Sequence, residues 1–292
     1  MIIKDLENCT LEELRELQLK QLEILCDLKE FCKKYEINFF LIGGSCIGAL
    51  RHQGFIPWDD DIDTMMLRND YEKFIKLWEK FGDKEKYTLC RTNENFNYHQ
   101  TTSILRMNNT TFINFHSKNE NINHGIYIDI NPLDCRENTK FKFFKQLVYS
   151  SFFGLFNAQK IPNQSLYLKI LSKIFLLMIP FKSLRTKIWK ICEKKMQSIS
   201  IQDCKYLTEL YLGPKVASRK LPKEWFLTTK NIMFEGYEMP IPIGAEKWMT
   251  MIFGNYMKFP PKEQRKPKHK VVLIDTEKSY KNYKGIYYCI EK

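Results

Sequence analysis

Leucines recur at helical spacing near the start of the chain. Leu11, Leu14 and Leu17, then Leu22, Leu25 and Leu28, are separated by Glu, Lys, Arg and Gln. The pattern predicts one amphipathic helix over 10–36, and Thr10 with Glu13 three residues later is a capping box that would start it. The period then changes. Asn38-Phe39-Phe40-Leu41-Ile42 is a short apolar run that stops at Gly43-Gly44, which reads as a buried strand ending in a glycine turn. Residues 45–51 read as a short helix and 58–66 as a second strand. Asp70 reads as the cap of a helix over 71–81. Residues 125–130 read as a third strand ended by Pro132, and 270–275 as a further strand-like piece without an evident place. Strands and helices mixed in this order point to an α/β or α+β catalytic half.

A different pattern covers 140–196. Large apolar side chains are interleaved with Lys and Arg, and Leu184, Ile188, Trp189, Cys192, Met196 and Ile199 fall at helical spacing. Pro162 and Pro180 would break the region into three short helices. This stretch holds 12 Lys and Arg against Glu193 alone, whereas residues 1–139 hold 17 against 23 Asp and Glu. The formal charge of +12 is therefore regional; 258–270 add six bases and one acid. Basic helices with wide apolar faces suit an anionic bilayer surface. They equally suit an ordinary helical layer whose lysines snorkel to water. No nucleic-acid motif accompanies the charge, so no nucleic-acid partner is expected.

Composition narrows the class. The chain has 292 residues, 44% of them hydrophobic and 14% aromatic, which excludes a disordered chain. No apolar run approaches about 18 residues, so no transmembrane helix is expected. The acid-bearing first twenty residues lack the apolar centre of a secretory signal, so a cytoplasmic location is expected. Nine cysteines, none in Cys-x-x-Cys, read as reduced thiols filling core volume rather than a zinc or disulfide framework.

The sharpest chemistry lies in Trp58-Asp59-Asp60-Asp61-Ile62-Asp63. In an extended chain Asp59, Asp61 and Asp63 share one face, while Asp60, Ile62 and Thr64 share the other. Carboxylates at alternate positions repel unless a cation lies between them, and a hard divalent ion such as Mg²⁺ (one or two ions) meets that need. An EF-hand is excluded, because no glycine stands at its sixth position. Just upstream, Gly43-Gly44-Ser45 at a strand-to-helix turn offers free N–H groups and a hydroxyl to an anion. It matches neither the Walker A nor the dinucleotide fingerprint. A third acid is expected on a neighbouring strand. Asp129, between Ile128 and Ile130, fits best; Asp134 is a second candidate past the expected strand end. Trp58, Tyr98 and Tyr127 are candidates for a sugar or a quaternary ammonium.

The stretch LIGGSCIGALRHQGFIPWDDDIDTMMLRNDYEKF resembles the signature of the LicD family, the phosphocholine transferases of bacterial glycans that also take in the fukutin-type proteins. ILRMNNT (104–110), HGIYIDINPLD (124–134) and FEGYEMPIPIGAEKWMTMIFGNYMKFPPKEQR (234–265) are similar to the same pattern. The resemblance implies an α+β fold with a nucleotidyltransferase-like mixed sheet flanked by helices. It divides the chain into a catalytic core over 1–139, a basic helical insert over 140–200, and a C-terminal part over 201–292 that completes the catalytic domain. It implies Mg²⁺-dependent transfer of phosphocholine from CDP-choline, or of a similar group from a related CDP-alcohol, to a glycan hydroxyl. Glycerol phosphate, ribitol phosphate and phosphoethanolamine are alternative cargoes, and a nucleotidyltransferase acting on a small molecule or RNA is a second reading. Position by position, Asp61 and Asp63 would bind metal and Asp129 would be the third acid. Gly43, Gly44 and Ser45 would hold donor phosphate. Arg51, His52 and Arg106 fall in matching segments as phosphate clamps. The enzyme would work in the cytoplasm, with the basic helices seated at the inner membrane face. Asn131 and Asn255 stand where family members often carry an aromatic and an Asp.

Overall fold

The computed structural model describes residues 1–161 and 166–290. Pro162, expected to break the basic region, lies outside them. In chain order come β1 (Ile2–Ile3), α1 (Leu11–Lys34), β2 (Phe40–Leu41), α2 (Gly43–His52), β3 (Asp63–Leu67), α3 (Arg68–Phe81), β4 (Tyr87–Cys90), β5 (Ser103–Met107), β6 (Thr111–Asn114) and β7 (Tyr127–Arg136). Then follow α4 (Lys140–Ala158), α5 (Leu166–Met178), α6 (Lys182–Met196), β8 (Tyr206–Thr208), α7 (Pro214–Ala217), β9 (Leu221–Pro222), β10 (Thr229–Phe234), β11 (Tyr237–Pro242), α8 (Ala245–Phe253) and β12 (Val271–Asp275). The fold is α+β. The chain divides into two compact units, one of Met1–Cys90, Ile104–Asn131 and Trp225–Lys292, the other of Arg91–Ser103 and Pro132–Glu224.

In the first unit, α1 begins as expected. The Thr10 hydroxyl accepts from the Glu13 N–H, and the Glu13 carboxylate accepts from the Thr10 N–H. Leu14, Leu17, Leu22, Leu25 and Leu28 are buried, while Leu11 stands in solvent. Gln18 and Gln21 share the buried stripe, and their use appears at the site below. The sheet runs β2-β3-β7-β5-β4, and a smaller sheet runs β1-β12-β6. The 270–275 segment thus has its place: β12 lies between β1 and β6, antiparallel to both. β10 and β11 form a hairpin whose two-residue turn, Glu235-Gly236, has φ +53° and +83°. That is the primed geometry that matches strand twist, and it needs Gly at the second place.

Three expectations about element ends are corrected. Asp70 does not cap α3: the helix starts at Arg68, directly after β3, with Leu67 at the cap and Asp70 in its first turn. No loop intervenes in which a side chain could fold back. The second strand starts at Asp63, not 58. The carbonyls of Asp59 and Asp60 accept from α1 glutamines instead of a neighbouring strand. The third strand does not stop at Pro132 but runs to Arg136. Proline lacks only the N–H, and Pro132 precedes the stretch Asp134–Arg136, which pairs with β8.

In the second unit α4, α5 and α6 form the three helices expected of the basic region. Their shared core holds Phe153, Phe156, Trp189, Cys192 and Met196, joined by Leu210 and Ala217. Of the helical set read in the sequence, Leu184 stays exposed and Ile199 lies beyond α6. None of the nine cysteines is in a disulfide, and most are buried or nearly so. The Cys135 and Cys204 thiols touch, with their sulfurs 3.0 Å apart.

Candidate active site

The site is built where a loop, two strands and a helix start meet in the first unit. Burial alternates through the acidic run: Asp59, Asp61 and Asp63 are partly exposed, while Asp60, Ile62 and Thr64 are buried. The two faces expected of an extended chain therefore form even though 58–62 is loop. The loop is held by its backbone. Gln18 Nε2 donates to the Asp59 carbonyl at 2.8 Å, and Gln21 Nε2 to the Asp60 carbonyl at 2.9 Å. Strand β3 then ties the loop to its neighbours. The Ile42 N–H donates to the Asp63 carbonyl, and the Asp129 N–H to the Ile62 carbonyl. Thr64 Oγ1 donates to the Asp129 carbonyl at 2.7 Å. Asn131, the departure from the family's aromatic, is buried and donates to the Thr64 carbonyl at 3.2 Å, so it links β7 to β3.

The glycine turn lies against the acids. Helix α2 starts at Gly43, so the N–H groups of its first turn face outward. A Cβ at Gly44 would lie 2.3 Å from Asp59 Oδ2, and one at Gly43 would lie 3.3 Å from Asp63 Oδ2. A side chain at Gly44 would therefore push the Asp59 carboxylate aside. Ser45 is buried, and its Oγ accepts from the Asp63 N–H at 3.0 Å, which leaves its proton to donate. Asp59 and Asp63 are the acids that lie against this turn, and Asp61 and Asp129 act on Asp63 through charge.

Electrostatics mark this group. The Asp59, Asp60 and Asp61 carboxylates bring oxygens within 4.8 Å of one another. Full charges at that spacing repel by roughly 3 kcal/mol at an effective dielectric near 20. Burial, then Asp61 and Asp60, push the Asp59 carboxyl up to about 8. Burial and Asp61 push Asp129 up to about 7, against the lowering effect of Arg106 and His269. Burial, with Asp61, Asp129 and Asp59, holds Asp63 well above the carboxylate range, and Asp61 is raised mainly by burial. Asp60 differs. Burial also acts on it, but three donors outweigh burial and leave it below its ordinary value. These are the His269 N–H at 3.0 Å, His269 Nδ1 at 3.2 Å and the Lys268 N–H at 3.4 Å. Facing a carboxylate, Nδ1 is the protonated ring nitrogen, and this bond raises His269 to about 9.

The donor set fits a divalent ion. Among the described residues Asp59, Asp60 and Asp61 are the acids whose oxygens come together, and Asp63 and Asp129 act on this group through charge; all are hard oxygen donors whose mutual repulsion a cation would remove. Asp60 is already neutralised by the segment before β12. Sequence reasoning missed His269, Gln18 and Gln21. Their signals were polar residues set in apolar patterns: two glutamines on a leucine stripe and a histidine before an apolar strand.

The remaining candidates stand around this group, and the His52 ring lies edge-on to Trp58. Arg51 and His52 end α2, about 12–14 Å along the helix from Gly43, and the Arg51 charge still reaches Asp59. Arg51 Nε donates to His52 Nε2 at 3.0 Å, Arg51 Nη1 donates to the Tyr256 carbonyl at 2.5 Å, and the guanidinium lies over Phe259. Arg106 is buried on β5, donates to the Gly125 carbonyl at 2.7 Å and lies 4.5 Å over the Tyr127 ring. It reaches the site through its charge on Asp129. Asp134 is buried in the second unit. The hairpin turn supports the loop from below. Glu235 pairs with Arg15, and its Oε1 accepts from the Phe55 N–H at 2.9 Å. Trp58 is half-buried, with the Arg265 guanidinium 5.6 Å from its ring.

Comparison with known proteins bears on the same residues. Residues 36–166 match the family described as LicD/FKTN/FKRP, nucleotidyltransferase domain. The chain is 28% identical over 283 residues to the lipopolysaccharide cholinephosphotransferase LicD of Haemophilus influenzae, which covers 88% of this chain and 96% of that protein. It is also 30% identical over 75 residues to an uncharacterised protein of Rickettsia typhi, covering 23% of this chain and 24% of that protein. A second uncharacterised protein, from Rickettsia prowazekii, is 29% identical over 76 residues, 24% of this chain and 29% of its own length.

Proposed function

We propose a function from one premise: the chain belongs to the LicD family. It is a phosphotransferase that moves phosphocholine from CDP-choline to a hydroxyl of a lipopolysaccharide or another cell-surface glycan. The observation that supports this most is the approach of Asp59 and Asp63 to the Gly43-Gly44-Ser45 turn, with Asp61 and Asp129 coupled to Asp63 through charge. A Mg²⁺ ion held by Asp61 and Asp63, with Asp59 and Asp129 beside it, would offset charge on the donor diphosphate and on departing CMP.

The chain's own groups do the rest. The outward N–H groups of Gly43 and Gly44 and the Ser45 hydroxyl bind a phosphate oxygen of the donor. The acceptor oxygen attacks the choline-bearing phosphorus, its bond to the CMP oxygen breaks, and CMP leaves. Asp129 takes the proton from the acceptor hydroxyl as general base. Catalysis is mostly positioning and charge stabilisation. Among the aromatic candidates, Tyr127 is buried under Arg106, and Tyr98 belongs to the other unit. Trp58 is next to Asp59 and half-buried, but the Arg265 guanidinium already stands at its ring, so none of the three is assigned to the quaternary ammonium. A cytoplasmic position at the inner membrane face suits an acceptor assembled on lipid.

Side-by-side assays with CDP-choline, CDP-ethanolamine, CDP-glycerol and CDP-ribitol test the cargo. We expect CMP release and label transfer with CDP-choline above the others. Transfer from another CDP-alcohol alone would change the cargo. Pyrophosphate release from a nucleoside triphosphate, without CMP, would replace the reading with nucleotidyl transfer.

A further inference from the structure

Helix α5 is apolar on both sides. On its inner side Phe175 and Leu176, with Ile179 just beyond its end, pack against the core of the second unit. On its outer side Leu166, Ile170, Ile174, Leu177 and Met178, continued by Phe181, are 45–73% exposed. Their spacing of three, four or one keeps them on one stripe. A surface helix ordinarily presents charge to water at these positions, and a contiguous apolar stripe of this length marks an interaction surface.

The charge around the stripe has one sign. Lys169 and Lys173 lie on α5 and Lys182 follows Phe181. Neither α4 nor α5 carries an acid, and Glu193, the lone acid of α6, is paired with Arg91 at 2.8 Å. Helix α4 also exposes Phe141 and Phe144 among Lys140, Lys142 and Lys145, at its own N-terminal end. The occupant must therefore take both apolar side chains and positive charge. A second copy of this chain would set one basic face on another. Nucleic acid would take the lysines and leave the stripe in water. Among the described residues no helix is long and apolar enough to cross a membrane, and the 13 residues of α5 span only about 20 Å.

We infer that the outer face of α5, with Phe181 and the flanking lysines, lies in the plane of an anionic phospholipid bilayer. The stripe enters the acyl boundary and the ammonium groups meet lipid phosphates. This surface stands independently of the transfer reaction, and its test needs neither donor nor acceptor.

The full chain is sedimented with vesicles of phosphatidylcholine alone and of phosphatidylcholine with phosphatidylglycerol, in low and high salt. We expect pelleting with the anionic vesicles that weakens as salt rises. Leu177→Ser with Phe181→Ser should lower the partition about tenfold or more, from the apolar area removed. Lys169→Glu with Lys173→Glu should lower it by at least about tenfold. Lys173, Leu177 and Phe181 are exposed and Lys169 is half-buried, and melting temperature and near-ultraviolet circular dichroism should match the wild type. Wild type left in the supernatant with anionic vesicles, or both variants pelleting like wild type, would overturn the inference. Retention on immobilised polyglutamate without vesicle binding would overturn it as well, in favour of an acidic protein partner.

Discussion

Asp59, Asp61, Asp63 and Asp129 are held above the ordinary carboxylate value of 3.8 by burial and by one another. A carboxyl raised on folding binds its proton more tightly in the folded chain than in the unfolded one. Its contribution to stability is therefore present below the unfolded value and lost as pH rises toward the folded one. For Asp59 and Asp129 that window runs from 3.8 to about 8 and about 7. We expect the melting temperature with chelator to fall between about pH 5 and about pH 8. Mg²⁺ should restore it more at the upper end, because metal and protons compete for the same oxygens. Asp63→Asn should raise the chelated melting temperature and flatten this pH dependence. Scanning fluorimetry with and without Mg²⁺ checks this, and a chelated profile that rises with pH would contradict it. This residue-scale tension was legible early. The alternation of Asp59, Asp61 and Asp63 against Ile62 fixed their face, and the apolar flanks of Asp129 fixed its strand. The roles of Arg51, His52 and Arg106 were not legible. A cation's partner depends on which backbone carbonyl the fold brings near, and for these residues it is Tyr256, Gly125 or each other.

At the scale of elements, the acidic loop is not a strand but is held like one from outside. Two α1 glutamines take its carbonyls, and the segment leading into β12 takes the Asp60 carboxylate. That segment is 209 residues away in sequence, which is why no local pattern announced it. Element existence followed the hydrophobic period closely for α1 and for the three basic helices. Element ends did not, because they are decided by what the backbone meets. Glutamine amides replace a strand partner before Asp63, and β8 continues β7 beyond Pro132. His269→Ala removes a donor from a buried carboxylate and should lower unfolding free energy by about 1–3 kcal/mol. His269→Asn places an amide donor near Nδ1 and should recover most of that loss. Urea unfolding at neutral pH distinguishes them, and equal loss in both variants would show that the ring's packing on Phe112, not the bond to Asp60, matters.

Over the whole molecule, the charge asymmetry of the sequence coincides with the division of the structure. The acids of the site belong to one compact unit, and the basic helices belong to the other. The first unit carries the residues that match the family signature around the acidic loop. The second carries α5, which lies beyond the matched residues 36–166 in all but its first residue. The account as a whole stands on the chemistry of the first unit. Its most direct test is CMP formation from CDP-choline with a glycan acceptor, measured for wild type and for Asp61→Asn with Asp63→Asn. The account predicts acceptor-dependent, Mg²⁺-dependent CMP release by wild type. The folded double variant should be slower by at least about a thousandfold, roughly 4 kcal/mol of transition-state stabilisation. CMP release that survives in the double variant, or that is unchanged by chelator, would contradict it.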